Sequence, residues 1–329
     1  MTARLTAWYG AAKRDLPWRK TRDPYRILVS EVMLQQTRSG TVIPYYEKFI
    51  ERYPTAQELA RAGDTELLRM WSGLGYYRRA RNLREAARRI AEDGEFPSGY
   101  EQILELPGVG GYTAAAVGSI AFGICRPVID GNVLRVIARL TADSSDIGAP
   151  ATRAAFETVA AGLLDRRDPG GFNQAIMELG ATVCRPRNPL CPECPVSQDC
   201  LARQRGIQAQ LPVKRRPAAQ IPVELRLLVI ERAGKLLLWK REEDAGRLAG
   251  FWELPTSAQL PKVKESRVVG SFRHSITNHR YTITVVEAGL DRPPRPFQWL
   301  ERTRLDFEPL STTARKALAT FGQRPGKDL

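Results

Sequence analysis

Apolar residues recur at helical spacing through roughly the first two hundred positions. Arg26 to Gln36 carries Ile27, Val29, Val32, Met33 and Leu34, a pattern that predicts a helix. Arg78 to Ile90 carries six arginines and repeated alanine and predicts a basic helix with a solvated or polyanion-facing side. Thr113 to Ala121, Val133 to Leu140, Arg153 to Leu164 and Phe172 to Val183 continue the pattern. Turn signals separate these runs at Gly73-Leu-Gly75, Pro107-Gly108, Asp130-Gly131 and Gly170-Gly171. Near Gln210 the character changes. Leu211-Pro-Val-Lys-Arg-Arg-Pro217 is basic and aperiodic and reads as a linker. Beyond it, Leu225 to Glu231, Lys235 to Lys240, Val268 to Arg273 and Tyr281 to Val286 read as strands, and Thr313 to Phe321 as a last short helix. The expected organisation is a mainly α domain over 1–208, a linker over 209–223 and a smaller α+β domain over 224–329.

Charge narrows the choice of partner. The chain has 50 Lys plus Arg against 36 Asp plus Glu, a formal charge of +14. That excess suits a polyanion, because each neutralised phosphate releases a counterion; solubility alone, or an arginine-rich genome, accounts for it as well. Hydrophobic residues at 43% place the chain among globular proteins. No apolar run approaches the roughly 18–20 residues of a membrane span, so no membrane partner is expected. Met1 to Gly10 lacks a basic segment followed by an apolar run, so no secretory signal is read. Separately, a cytoplasmic, nucleoid-associated location of bacterial type and a monomeric state are expected.

Four of the five cysteines, Cys184, Cys191, Cys194 and Cys200, are spaced C-x6-C-x2-C-x5-C. Four thiolates in the loop 184–200 can hold a tetrahedral zinc or a [4Fe–4S] cluster, and spacing alone decides for neither. Arg185, Arg187 and Arg203 lie in or beside the loop. A structural staple is the plain role. Cys125, among Ile124, Pro127 and Val128, reads as a buried core thiol.

Leu106-Pro-Gly-Val-Gly-Gly-Tyr-Thr-Ala114 reads as a hairpin between helices. Gly108 and Gly110 allow a tight turn, and the following helix start can point amides at a phosphate. An ordinary connection with packing glycines is the alternative. Asp130, in Val128-Ile-Asp-Gly-Asn-Val133, sits at the mouth of a helix. It reads either as an N-cap, with Asn132 its rival, or as a desolvated carboxylate able to stabilise a developing sugar cation. Glu31, in Ser30-Glu-Val-Met-Leu-Gln-Gln-Thr37, is a carboxylate in an apolar helix. Burial would raise its pKa and make it a general acid; a salt-bridged or exposed Glu is the alternative. Breaking an N-glycosidic bond needs such a pair, one group protonating the leaving base and one facing the cation. Trp71-Ser-Gly-Leu-Gly-Tyr-Tyr77 precedes the basic helix and offers aromatic tips able to wedge a duplex, or simply core packing.

Together these segments resemble the MutY-type adenine glycosylases of the helix–hairpin–helix superfamily. The resemblance rests on Leu16-Pro-Trp-Arg19, Ser30 to Thr37, Trp71 to Asn82, Leu106 to Gly110, Ile129 to Val133, Phe172-Asn-Gln-Ala175 and the four-cysteine loop, in that order. It implies a six-helix barrel module, a second helical module holding [4Fe–4S] on the four cysteines, and duplex DNA carrying adenine opposite 8-oxoguanine or guanine. It implies Glu31 as the acid for adenine N7, Asp130 as the carboxylate facing the sugar cation, and Asn132 as its helper. It places Arg19 and Gln174 in the adenine pocket, and Gln36, Thr37, Leu74 and Tyr76 around the opposite base. Tyr112 stands where the endonuclease III branch has a Schiff-base lysine, which implies base removal without strand cleavage.

Gly250-Phe-Trp-Glu-Leu-Pro255 resembles the family's Nudix-like lesion-reading domain, and the catalytic Nudix spacing is missing around Glu242, Glu243 and Asp244. One departure stands out. Where the family reads the lesion with Phe-Ser-His, this chain has His274-Ser-Ile-Thr-Asn-His279. Alignment on His274 gives Thr277 the hydroxyl and puts Asn278 in the imidazole's place; alignment on His279 puts Asn278 in the serine's place. Two other readings follow: a glycosylase of altered mismatch preference, and a non-catalytic iron–sulfur protein that binds DNA.

Overall fold

The computed structural model describes residues 1–215, 220–242, 248–276 and 278–322. Thr277, Glu243, Asp244 and Pro217 lie outside the described residues. Helices are α1 Thr2–Ala12, α2 Pro24–Leu34, α3 Ser39–Arg52, α4 Ala56–Ala60, α5 Asp64–Trp71, α6 Arg78–Asp93, α7 Tyr100–Leu104, α8 Gly111–Phe122, α9 Gly131–Thr141, α10 Pro150–Leu163, α11 Pro169–Thr182 and α12 Leu201–Gln204. Strands are β1 Ile221–Val229, β2 Glu231–Arg232, β3 Lys235–Lys240, β4 Trp252–Glu253, β5 Lys264–Ile276, β6 His279–Gly289 and β7 Gln298–Glu301, before α13 Thr312–Gly322. Among the described residues, no helix is long and apolar enough to cross a membrane.

The chain divides into two compact units. One takes Met1–Ala62 and Arg81–Arg216, the other Gly63–Ala80 and Pro217–Leu329. The helical turn and loop at 63–80 thus group with the C-terminal residues, a discontinuity that local sequence pattern does not reveal.

In the first unit α2 is the central element. Pro24 opens it, Asp23 caps it by accepting from the Arg26 amide, and every residue from Tyr25 to Met33 except Arg26 is buried. A helix buried on nearly every side leaves the Glu31 carboxylate largely withdrawn from bulk water. Helix α8 is buried from Thr113 to Ser119, and its alanines let neighbours approach closely. Leu134, Ile137, Phe156, Phe172, Ile176 and Leu179 fill the core beside α9 and α11. The residues read as a linker are partly docked: Leu211 is buried and its carbonyl accepts from Arg139, and the Ile147 amide donates to the Val213 carbonyl. Strand pairing then begins at Ile221, earlier than the pattern predicts, because its partner β6 starts at His279.

The second unit holds two sheets. One has the order β1-β6-β5, with β1 parallel to β6 and β5–β6 an antiparallel hairpin. In the other, β3 pairs β2, β4 and β7, all antiparallel. Leu227, Val229, Ile283 and Val285 pack one face with Ala317 and Phe321 of α13. Leu228, Ile230 and Val286 pack the other. Alternation along β1 and β6 therefore buries both faces.

Cys125 corrects the sequence reading: it is exposed, its thiol donating to the Arg166 carbonyl at 3.7 Å. Its apolar chain neighbours follow the left-handed end of α8 at Gly123 and do not enclose it.

Candidate active site

Two carboxylates meet at one cavity. The space measures about 450 Å³ and is lined by Glu31, Asp130, Tyr112, Asn132, Arg19 and Gln174 among others. Every sequence-predicted catalytic and adenine-pocket residue is therefore a wall of one cavity, although they come from α2, α8, α9, α11 and the turn at Pro17–Arg19. Glu31 is 5% exposed. Burial pushes its carboxyl up to about 7, reinforced by the Asp130 charge, while the Tyr112 hydrogen bond and Arg19 pull the other way. Tyr112 donates to Glu31 Oε2 at 2.8 Å and lies 3.3 Å from Met177 Sδ.

Asp130 is both the N-cap of α9 and a desolvated carboxylate on the cavity wall. It caps α9, with Oδ1 accepting from the Val133 amide at 2.7 Å, and Oδ2 accepts from Asn132 Nδ2 at 3.0 Å. Burial raises its pKa, and these donors pull it back toward the ionised form. Asn132 is held in turn by Arg135, whose Nη2 donates to Asn132 Oδ1 and to the Gly180 carbonyl, each at 2.8 Å. Arg135 Nε donates to the Cys184 carbonyl at 2.8 Å, so one buried guanidinium joins the carboxylate's neighbour to the cysteine loop.

The floor of the cavity contains a group the sequence does not flag. Glu178 is fully buried, and Arg14 and Arg19 each reach its Oε2 at 2.7 Å. Burial opposes its charge, but hydrogen bonds from Arg14 and Arg19 prevail and hold it down at about 2. A charged carboxylate there gives the cavity a fixed acceptor. Gln174 accepts from Tyr9 Oη at 3.1 Å. Glu178, Arg14, Tyr9 and Arg135 escape sequence reading because their partners lie far away along the chain. The one usable signal is the helical offset of Glu178 from Gln174, four residues on along α11.

The hairpin residues divide. Gly108 has φ +77°, and a Cβ there would stand 2.5 Å from Asn82 Cβ, so only glycine fits. Gly110 corrects the tight-turn expectation. It is the N-cap of α8 with φ −105°, and its added Cβ would meet nothing, so the turn does not demand it. Gln36 takes a left-handed φ of +58° just past the end of α2, and Thr37 lines the cavity. Tyr76 is 55% exposed, whereas Tyr77 and Leu74 are buried. Asn278 lies exposed at the tip of the β5–β6 hairpin, its carbonyl accepting from the Ile221 amide at 2.8 Å.

The four cysteines are free of disulfides and line one small void of about 30 Å³ with Arg139. Arg139 is 2% exposed; its Nη1 donates to Cys184 Sγ at 3.3 Å and to the Arg185 carbonyl at 2.7 Å. Burial, and then the neighbouring cysteines, push the Cys194 thiol up to about 11. Among the described residues no group of three ligands stands ready to hold a single ion. Four thiols around one void, beside a buried guanidinium, are the donor set of a thiolate-ligated centre.

Residues 29–161 match the HhH-GPD superfamily base excision DNA repair protein family. The adenine DNA glycosylase of Homo sapiens is 34% identical, over 98% of this chain and 74% of the human one. That of Mycobacterium tuberculosis is 38% identical, over 85% of this chain and 92% of its own. The matches to the rat and mouse enzymes span 42% and 60% of their lengths. Among solved structures, a thermostable thymine-DNA glycosylase superposes with a TM-score of 0.55 at 32% identity, covering 62% of this chain and 95% of that one. By these likenesses, the chain belongs to the adenine DNA glycosylases of the HhH-GPD superfamily.

Proposed function

We propose that this DNA N-glycosylase removes adenine opposite 8-oxoguanine, or opposite guanine, by a monofunctional reaction. Glu31 donates a proton to adenine N7. The C1′–N9 bond breaks with its electron pair leaving on the base, and the ionised Asp130 stabilises the positive sugar. Water adds at C1′ and loses a proton. Asn132 and Arg135 keep Asp130 oriented, while Glu178, Arg19 and Gln174 offer polar edges to the base. Tyr112 holds Glu31 through its hydroxyl and, having no amine, cannot form an imine with the sugar. The observation that carries this reading is a buried Glu31, poised at about 7, sharing a cavity with Asp130, the N-cap of α9.

Cys184, Cys191, Cys194 and Cys200 would hold a [4Fe–4S] cluster, whose contribution is to fold the loop and present its basic side to phosphate. The hairpin at Gly108 and the start of α8 grip the backbone, Tyr76 wedges the duplex, and Gln36, Thr37 and Leu74 attend the opposite base. Thr277 and Asn278 read the lesion from the Nudix-like domain.

Single-turnover excision tests the reading, with duplexes carrying adenine opposite 8-oxoguanine, guanine or thymine, each scored with and without hot alkali. Alkali-dependent breaks, fastest opposite 8-oxoguanine, are expected. Breaks without alkali would refute the monofunctional mechanism. A second reading, altered mismatch preference, draws on Asn278 at the hairpin tip in place of the family's histidine. Equal rates opposite guanine would favour it.

A further inference from the structure

The loop between α5 and α6 carries two consecutive left-handed residues, Gly75 at φ +70° and Tyr76 at +47°. For tyrosine this backbone is disfavoured and persists only when its surroundings enforce it. The ring it presents is 55% exposed, whereas the next ring, Tyr77, is buried against Phe251 at 4.0 Å between centroids. An aromatic projecting from a fixed loop needs a brace, and Arg79 supplies one. Its Nη2 donates to the Leu74 carbonyl at 3.1 Å and to the Gly75 carbonyl at 3.2 Å, and its amide donates to the Tyr76 carbonyl at 2.8 Å. Three successive carbonyls are thus tied to one residue. Its guanidinium lies 5.6 Å from the ring centroids of both Trp71 and Tyr76. Trp71 completes the brace by donating from Nε1 to the Gly75 carbonyl at 3.2 Å.

We propose that Arg79 is a positioning residue that holds Tyr76 ready for insertion into the duplex, acting through the loop and not by contact with phosphate. The proposal rests on the reading of Tyr76 as the wedge. Burial also lowers the Arg79 pKa to about 10, the mark of a guanidinium withdrawn from water and committed to the loop. A wedge already in its working conformation does not have to be ordered at each encounter, so the brace should act on base extrusion more than on duplex affinity. Lysine cannot replace it, because a tetrahedral ammonium lacks the flat guanidinium face that lies between the two rings while its Nη2 serves both carbonyls.

The test is a double-mutant cycle in the full chain with Arg79→Lys and Tyr76→Ala. It uses a duplex with adenine opposite 8-oxoguanine and 2-aminopurine beside the adenine. Arg79→Lys should slow single-turnover excision about tenfold and blunt the 2-aminopurine rise, with little change in duplex affinity or its salt dependence. In the Tyr76→Ala background the same substitution should add nothing. An undiminished effect there, or full rescue of Arg79→Gln by lysine with a restored salt slope, would overturn the proposal and leave the wedge reading standing. A Tyr76→Ala protein with wild-type excision and fluorescence would instead remove the wedge reading, and the proposal with it. Should Arg79→Gln melt, the lysine variant, checked by its own melting curve, decides the matter.

Discussion

Tyr112 Oη donates to Glu31 Oε2 at 2.8 Å, joining the first turn of α8 to the buried centre of α2. The bond draws the Glu31 pKa down while burial draws it up, and burial wins. The carboxyl therefore sits at about 7 and exchanges its proton near neutrality, as a general acid requires.

Glu31→Gln should lose excision by about a thousandfold or more and keep duplex binding, measured by single-turnover kinetics and a mobility shift. In the wild type, activity should fall as pH rises through about 7, where the acid form is lost. Stability follows the same group. With a folded pKa of about 7, above the 4.5 of an ordinary glutamate, its favourable contribution is complete below 4.5 and lost as pH rises through 7. The glutamine variant should escape that loss, worth up to about 3 kcal/mol, so its melting temperature should gain on the wild type in alkali.

Glu178→Gln should cost about 2–4 kcal/mol of stability, because it leaves Arg14 and Arg19 facing a neutral amide; the partial exposure of Arg14 keeps the figure below the full cost of a buried pair. Here the sign reverses. The carboxyl is held down at about 2, so its contribution is present above the 4.5 of an ordinary glutamate and disappears as pH falls toward 2. Chemical denaturation of both proteins at neutral pH and near pH 3 should show the gap between them shrink in acid.

Arg135→Lys should uncouple Asn132 from the Cys184 carbonyl, since both hydrogen bonds use the planar fork. Losing a charge-assisted bond of about 1.5–3 kcal/mol at Asn132 predicts roughly tenfold slower excision. Iron content per chain should fall in the same preparations. Wild-type excision with full iron content would show that Arg135 is not needed for either.

Gly108→Ala should destabilise the protein by roughly 2–4 kcal/mol, combining a left-handed backbone with an overlap on Asn82. Gly110→Ala should be close to neutral for stability, because its φ is ordinary and the space is open. Thermal melts of the pair check the contrast.

Much of the architecture was legible in local pattern. Helices α2, α6, α8, α9 and α11, the hairpin glycine and the cysteine spacing are written in residues that lie close along the chain, where period and turn chemistry act directly. Cys125 was misread for the same reason: its apolar neighbours in sequence do not surround it in space. Tyr76 and Tyr77 have identical side chains and adjacent positions, and sequence could not tell the exposed ring from the buried one.

Sequence by itself determined which groups are available: two carboxylates at helix positions, four thiols in a short loop, a tyrosine where an amine would change the chemistry. The tertiary structure decided what those groups are worth. Arg14 and Arg19 reach Glu178 across 164 and 159 positions, and Arg135 reaches Cys184 across 49. Glu31 titrates near 7 and Glu178 near 2, although both are glutamates buried in helices. Desolvation raises both; two guanidiniums in direct contact outweigh it at Glu178, whereas at Glu31 the tyrosine bond and the Arg19 charge do not, a difference set by folding and not by chain order.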